Sequence, residues 1–157
     1  MSHNDILLHM NDLPHFKKLN CDFSSIIIDG HSILHWVSGQ GNSDVLAYLI
    51  SKGCHMDTKT CRGYTILHEA CAFGNNSNAH HILCNDKNMI STVSNDGRTI
   101  LHEICKYNQI ETLKYMFEFH KKAIDKIIDH KDKYDKKATD YINSSDMKFV
   151  AMNTGLL

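Results

Sequence analysis

Histidine and cysteine are the residue types in this chain with the most obvious potential for chemistry. The 157 residues include 12 histidines and six cysteines, and the stretch AHHILC brings three of them together. On a helix, His80 and His81 lie four and three positions before Cys84, which are spacings that can place metal ligands on one face. A structural zinc site needs four tetrahedral ligands, however, and the sequence has no paired C-x-x-C to complete it. We therefore predict no metal site and no cofactor.

The cysteines fall into a regular spacing. Cys71 and Cys105 are 34 residues apart, and Cys21 and Cys54 are 33 apart. Cysteine behaves as a small apolar residue in protein interiors, so we expect these four side chains to be buried. Cys61 differs because it stands in a turn next to Arg62, where we expect an exposed thiol.

The beginning of the chain bears on the cellular compartment in which these thiols would be found. The N-terminal stretch has acidic residues and no basic segment before an apolar run, so it does not resemble a secretory signal. Six cysteines without such a signal favour reduced thiols and a cytoplasmic or nuclear location.

Catalytic arrangements of side chains are not apparent. The aspartates at 29, 57, 96 and 132 lie near predicted turns, where Asp is a frequent turn former. The sequence has neither a glycine-rich phosphate loop nor a zinc-protease motif. We predict that the chain is not an enzyme.

Three other histidines reveal the organisation of the chain. His35, His68 and His102 are separated by 33 and then 34 residues. The leucine before each histidine and a glycine five residues before it keep the same spacing: Leu34, Leu67, Leu101, Gly30, Gly63 and Gly97. A fixed period near 33 residues is typical of repeat architectures.

Each copy predicts a turn, a short helix, a tight turn and a longer helix. In the central copy, Thr65 can cap a helix N-terminus and Gly74 can end the helix in a left-handed conformation. The apolar positions between them follow helical spacing: Leu67, Ala70 and Cys71. Such short helices are not stable alone in water, so the units must stack on one another. The predicted fold class is therefore all-α.

Less regular sequences flank the three copies. Pro14 fits the first turn of a helix in the first segment, and Asp140 replaces the repeated histidine in the last one. Terminal repeats usually depart from the internal pattern. The predicted units are an N-terminal capping half-repeat at 1–26, repeats at 27–59, 60–93 and 94–128, and a C-terminal capping partial repeat at 129–157.

The repeated pattern G-x-[ST]-x-L-H resembles the ankyrin repeat. It occurs at Gly30–His35, Gly63–His68 and Gly97–His102. The resemblance implies a short solenoid of stacked helical hairpins with β-hairpin-type turns, called fingers, and a concave face made by the fingers and first helices. It also implies that the histidine ties neighbouring turns together by hydrogen bonds to the backbone. One departure is systematic, since the family's usual proline is an isoleucine in all three copies: Ile33, Ile66 and Ile100.

Charge and composition narrow the function. The formal net charge is −1, which gives no electrostatic basis for binding nucleic acid or an anionic membrane. No apolar run approaches the roughly 20 residues that span a bilayer. Ankyrin repeats imply a scaffold for protein–protein interaction, so we expect a monomer with a protein partner that offers apolar side chains beside carboxylates. The candidate partner-binding residues are Arg62, Tyr64, Phe73, Arg98, Tyr107 and Trp36.

Three other functions are compatible with the sequence. The chain could be a regulatory or targeting segment of a larger enzyme or scaffold. It could be a metal- or haem-responsive sensor that uses its histidines. As a small ankyrin chain it could also be a viral or parasite inhibitor of host signalling, resembling the ankyrin proteins that inhibit NF-κB.

Overall fold

A computed structural model describes residues 3–19 and 21–157 as a series of helical pairs. The helices are α1 (His3–His9), α2 (Leu13–Lys18), α3 (Ile33–Gln40), α4 (Ser43–Ser51), α5 (Ile66–Ala72), α6 (Asn76–Asn85), α7 (Ile100–Lys106), α8 (Ile110–Ile124) and α9 (Ser145–Thr154). Short 3₁₀ helices span Phe23–Ser25, Lys87–Ser91 and Ala138–Tyr141. The predicted all-α class is confirmed.

The helices form two layers. In one layer α3 packs on α5, α5 on α7, and α7 on the 3₁₀ helix Ala138–Tyr141. The other layer contains α2, α4 and α6 in contact order, followed by α8 and α9, which pack on each other. The aliphatic residues predicted for the helices fill the space between the layers, and the repeated Leu34, Leu67 and Leu101 are at most 1% exposed.

Fingers connect the helical pairs. The first finger is a two-stranded antiparallel hairpin of β1 (Ile27–Ile28) and β2 (His31–Ser32). The next two fingers each have two backbone bonds, which in the first of them run from Thr60 N to Tyr64 O at 2.9 Å and from Gly63 N to Thr60 O at 2.8 Å. Adjacent fingers are also joined, since the Asn95 amide donates to the Arg62 carbonyl at 2.9 Å. The third finger is joined to the last in the same way, since the Lys133 amide donates to the Asp96 carbonyl at 2.8 Å.

The ends of the first-layer helices follow the predicted chemistry with one difference. Gly74 (φ +74°) and Asn108 (φ +57°) adopt the left-handed conformation just after α5 and α7. Gly41 instead is extended, with φ −88°. It is needed there for space, because a Cβ atom would lie 2.7 Å from Cγ1 of Val37 and 2.9 Å from the Met10 carbonyl oxygen.

The beginnings of the first-layer helices use the repeated histidines. In α5 the Thr65 amide donates to Nδ1 of His68 at 3.3 Å, and the Thr65 hydroxyl lies 2.9 Å from the same nitrogen. This is a capping box in which histidine occupies the position usually held by Glu or Gln. The same box occurs at Ser32 with His35 and at Thr99 with His102.

The other ring nitrogen links each unit to the next. Nε2 of His35 donates to the Tyr64 carbonyl at 3.1 Å, and Nε2 of His68 donates to the Arg98 carbonyl at the same distance. His102 reaches the Lys136 carbonyl, also at 3.1 Å. Because Nδ1 accepts and Nε2 donates, each ring is held as one neutral tautomer. The structural role expected for these histidines is confirmed.

Both terminal segments are helical. Pro14 stands in the first turn of α2, as predicted. At the other end the carboxylate of Asp140 accepts from the Lys137 amide at 2.8 Å, which is the capping bond that histidine makes elsewhere.

The four regularly spaced cysteines were expected to be buried. This expectation is confirmed at Cys54, Cys71 and Cys105. It is wrong at Cys21, which is exposed; the buried side chain in this part of the chain is that of Phe23, the first residue of the following 3₁₀ helix.

Truncation of the central repeated leucine should destabilise the chain strongly. Leu67→Ala removes a side chain with no exposed surface, so we expect the free energy of unfolding in urea to fall by about 2–5 kcal/mol. Leu8→Ala makes the same chemical change at a side chain that is 77% exposed and should cost less than about 0.5 kcal/mol. Equal losses in the two variants would contradict the assigned register.

Acid should destabilise the stack through the repeated histidines. Burial lowers the pKa of His35 and of His68 from 6.5 to about 4. Below pH 6.5 these histidines become protonated in the unfolded chain but stay neutral in the folded chain. The free energy of unfolding therefore decreases as pH falls from 6.5 towards 4. We expect a loss of about 1.5–2 kcal/mol per histidine between pH 7 and pH 5 in urea unfolding.

The variant His68→Asn is the control for this pH dependence. It should be less stable at pH 7 but should lose less stability on acidification, because one of the three repeated rings with a lowered pKa is gone. A free energy of unfolding that is the same at pH 7 and pH 5 in the wild type would contradict the proposed tautomers.

Candidate partner-binding groove

A groove of about 620 Å³ runs along the side where the fingers meet α5 and α7. Finger residues form one wall, and residues in or just after the two helices form the floor and the opposite wall. The lining residues are Asp29, His31, Thr60, Cys61, Arg62, Tyr64, His68, Glu69, Ala72, Phe73, Glu103, Tyr107 and Gln109. Four of the six predicted binding residues are therefore brought together: Arg62, Tyr64, Phe73 and Tyr107.

Two aromatic side chains stand out from the groove wall. Phe73 and Tyr107 are the C-terminal caps of α5 and α7, and they are 53% and 50% exposed. The ring of Phe73 lies against α3, where a Cβ atom on Gly39 would be only 2.8 Å from Cδ2 of the ring. The absence of a side chain at position 39 thus seats the Phe73 ring against the helix and leaves its other face open.

Carboxylates form part of the groove floor. Glu69 in α5 and Glu103 in α7 directly follow the repeated histidines, and burial raises the pKa of both carboxyl groups. Tyr64 donates its hydroxyl to Oε1 of Glu103 at 3.2 Å. Burial, followed by the charge of Glu103, raises the pKa of Tyr64 to about 12, so this tyrosine stays a hydrogen-bond donor at neutral pH.

Arg98 does not line the groove, which differs from the sequence expectation. Its side chain is only 14% exposed, and Nη2 donates to the Tyr141 hydroxyl at 3.2 Å. Nε lies 3.7 Å from Oδ2 of Asp132, and Nη1 lies 3.9 Å from Oε1 of Glu103. The guanidinium also stacks over the Tyr141 ring, 5.0 Å from its centroid. Arg98 thus joins the third and last units beneath the groove.

The carboxylate of Asp132 anchors this network. Burial opposes its ionisation, but hydrogen bonds from the Tyr141 hydroxyl and from the amides of Lys136 and Tyr134 outweigh burial, so the pKa of Asp132 is lowered. An ionised carboxylate with a fully buried side chain needs a nearby cation, and Arg98 supplies it.

Trp36 lines a smaller hollow that adjoins the groove. The hollow has a volume of about 100 Å³ and shares His31, Glu69 and Phe73 with the groove. The Trp36 indole is half-buried, and its Nε1 donates to the Ile28 carbonyl at 3.4 Å. The six predicted residues therefore divide into four in the groove, one beside it and one below it.

The candidate metal ligands of AHHILC are only partly brought together. Sγ of Cys84 lies 3.5 Å from Nε2 of His80, while Nδ1 of His80 is bonded to the Tyr115 hydroxyl at 2.9 Å. Among the described residues, the ligand atoms of His9, Asp12 and His15 lie within 4.8 Å of one another. Asp12 already caps α2 through the His15 amide, Nδ1 of His9 is hydrogen-bonded to the Asp5 carbonyl, and the rings of His9 and His15 are stacked with centroids 3.7 Å apart.

Comparison with known protein families agrees with this geometry. The family model described as ankyrin repeats (3 copies) matches residues 5–92, which is more than half of the chain. The chain belongs to the ankyrin repeat family. The match ends before the copy that contains His102, yet that copy repeats the capping box and the onward hydrogen bond of the other two. No curated protein gives a match.

Ankyrin repeats are generally protein–protein interaction modules, and this ankyrin stack is consistent with that general role. Within residues 3–19 and 21–157, none of the helices has the length and apolar character required to cross a membrane.

Sequence reasoning missed the acidic floor of the groove. The candidate binding residues taken from the sequence include neither Glu69 nor Glu103. Their equal position after the repeated histidine is the signal that could have placed them, because it puts both on the same side of successive helices.

Removal of Arg98 should destabilise the fold, unlike removal of the groove arginine. Arg98→Ala leaves the Asp132 carboxylate buried without a cation, and we expect the free energy of unfolding to fall by about 2–4 kcal/mol. Arg62→Ala removes an exposed arginine and should cost within about 0.5 kcal/mol. The measurement is urea unfolding of both variants at pH 7, and a larger loss for Arg62→Ala would overturn the role given to Arg98.

Proposed function

We propose that this ankyrin chain is a non-enzymatic module that binds a protein partner in the groove between its fingers and the helices α5 and α7. The observation that carries this proposal is the pair Phe73 and Tyr107, two half-exposed aromatic rings facing one groove on a rigid frame. Large aromatic side chains are enriched among the residues that contribute most to binding at protein interfaces.

The frame behind the groove is suited to binding without large rearrangement. Each repeated histidine joins its unit to the next, and backbone bonds join the second finger to the third and the third to the last. Interfaces on preorganised surfaces lose less conformational entropy on association. Tyr64 and Arg62 complete the proposed surface, and Trp36 extends it into the adjoining hollow.

The chemistry of the groove supports binding more than catalysis. His68 faces the groove, but both of its ring nitrogens are engaged in structural hydrogen bonds. Burial lowers its pKa to about 4, far from the value near 7 that suits a general base. Cys61 also lines the groove, and no histidine is paired with its thiol among the described hydrogen bonds.

The groove can be tested by removing its two exposed aromatic rings. A pull-down from cell lysate with Phe73→Ala/Tyr107→Ala should capture partner proteins at least 30-fold less than wild type, since each such residue can contribute about 2 kcal/mol. Quantitative mass spectrometry of the captured proteins is the measurement. The melting temperature should stay within a few degrees because both rings are half-exposed.

The matched control removes one phenylalanine and one tyrosine elsewhere. Phe149 and Tyr134 are 67% and 57% exposed and do not line the groove. The control Tyr134→Ala/Phe149→Ala should leave capture unchanged. If the control pair abolishes capture and the groove pair does not, the partner uses another face.

A further inference from the structure

Glu69 is a groove carboxylate that the folded chain leaves almost without polar partners. Its side chain is 16% exposed, and it lines both the groove and the hollow beside Trp36. In the described part of the chain, its one ion-pair partner is Nε2 of His31 at 3.8 Å, and no hydrogen bond to its carboxylate is formed. Glu103, one repeat later, by contrast accepts from Tyr64 and lies near Arg98.

His31 attracts Glu69 only when its ring carries two protons. Nδ1 of His31 lies 2.9 Å from the Asp29 carbonyl oxygen, which can only accept, so Nδ1 carries the proton of the neutral ring. Nε2 of the neutral ring then presents a lone pair to the Glu69 carboxylate. The carboxylate therefore has no donor from the chain while His31 is neutral.

The surroundings of Glu69 strengthen its attraction for an incoming cation. Burial raises the pKa of the Glu69 carboxyl group, which means that its charge is poorly solvated in the free protein. Coulomb attraction increases as the effective dielectric falls, so a cation that enters the groove interacts with Glu69 more strongly than with an exposed glutamate.

The balance of charged side chains in the groove also favours a cationic partner. Three carboxylates line it, at Asp29, Glu69 and Glu103, against the single guanidinium of Arg62. The second arginine expected there, Arg98, lies below the groove and is compensated by Asp132. The surface expected from sequence was aromatic and cationic, whereas the observed groove is aromatic and predominantly acidic.

We propose that the groove holds a partner segment whose arginine or lysine side chain pairs with Glu69, while an adjacent apolar side chain packs on Phe73 and Tyr107. Arginine fits best, because its planar guanidinium can form two parallel hydrogen bonds with a carboxylate, which an ammonium group cannot. This inference rests on the proposed function and specifies the chemistry of the partner.

A displayed library of random 12-residue peptides provides a probe that does not require the natural partner. Panning on the wild-type chain should enrich peptides with Arg or Lys at a fixed position beside an apolar residue. A synthetic copy of the strongest binder should lose at least tenfold in affinity on Glu69→Gln. The same peptide with citrulline, the neutral analogue of arginine, should lose a similar factor on the wild type, and the two losses should not add when combined.

The matched control for the glutamate is Glu111→Gln. Glu111 is 75% exposed on α8, outside the groove, and pairs with Lys114. This variant should leave the affinity of the peptide unchanged. The citrulline peptide tests the pairing on the unaltered protein, so the result does not depend on the folding of Glu69→Gln.

The outcomes separate this inference from the proposed function. Enrichment of peptides rich in Asp or Glu that still need Phe73 and Tyr107 would overturn the inference and leave the groove as the binding site. Peptides that bind equally well to Phe73→Ala/Tyr107→Ala would count against the groove itself. Full affinity of the citrulline peptide would also overturn the pairing with Glu69.

Discussion

The hydrogen bonds of one neutral imidazole per repeat are the constraint on which this structure depends. In each internal unit the ring accepts a backbone amide at the beginning of its own helix and donates to a carbonyl of the following finger. A single side chain thus fixes both the start of a helix and the spacing to the next unit. The geometry requires a ring with one proton, and burial enforces this by lowering the pKa. The groove exists because successive fingers and first-layer helices are held at that fixed spacing.

Charges in the groove region divide according to how well the fold satisfies them. Arg98 and Asp132 have partners in the third and last units, and they belong to the frame. Glu69 is largely enclosed by the same frame but receives no hydrogen bond from the neutral His31 ring that faces it, because the proton of that ring is on Nδ1, which donates to the Asp29 carbonyl. A largely enclosed ionisable group in a cleft to which the fold supplies few polar partners is a candidate for a functional role. That difference separates the structural part of the polar network from the part that remains available to a partner.

The sequence was sufficient for features that depend on short-range pattern. The repeated leucines and histidines predicted stacked helical hairpins, and Asp140 was recognised in the place of the last histidine. Arg98 could not be assigned in this way, because its partners Asp132 and Tyr141 are 34 and 43 residues further along the chain. The local sequence around Gly97 gives an exposed finger, and only the docking of the last unit covers it. Cys21 shows the same limit. It stands one repeat length before Cys54, but it is exposed at the end of the stack whereas Cys54 is buried.

Gly39 lies on α3 and is buried beneath the Phe73 ring. Even the smallest side chain at this position would push the ring towards the groove, because the two would otherwise be 2.8 Å apart. The contour of the proposed binding groove is therefore controlled by a residue buried beneath its surface. Substitutions at such a buried position could change the binding specificity of the proposed groove in small steps, without replacing any side chain that lines it.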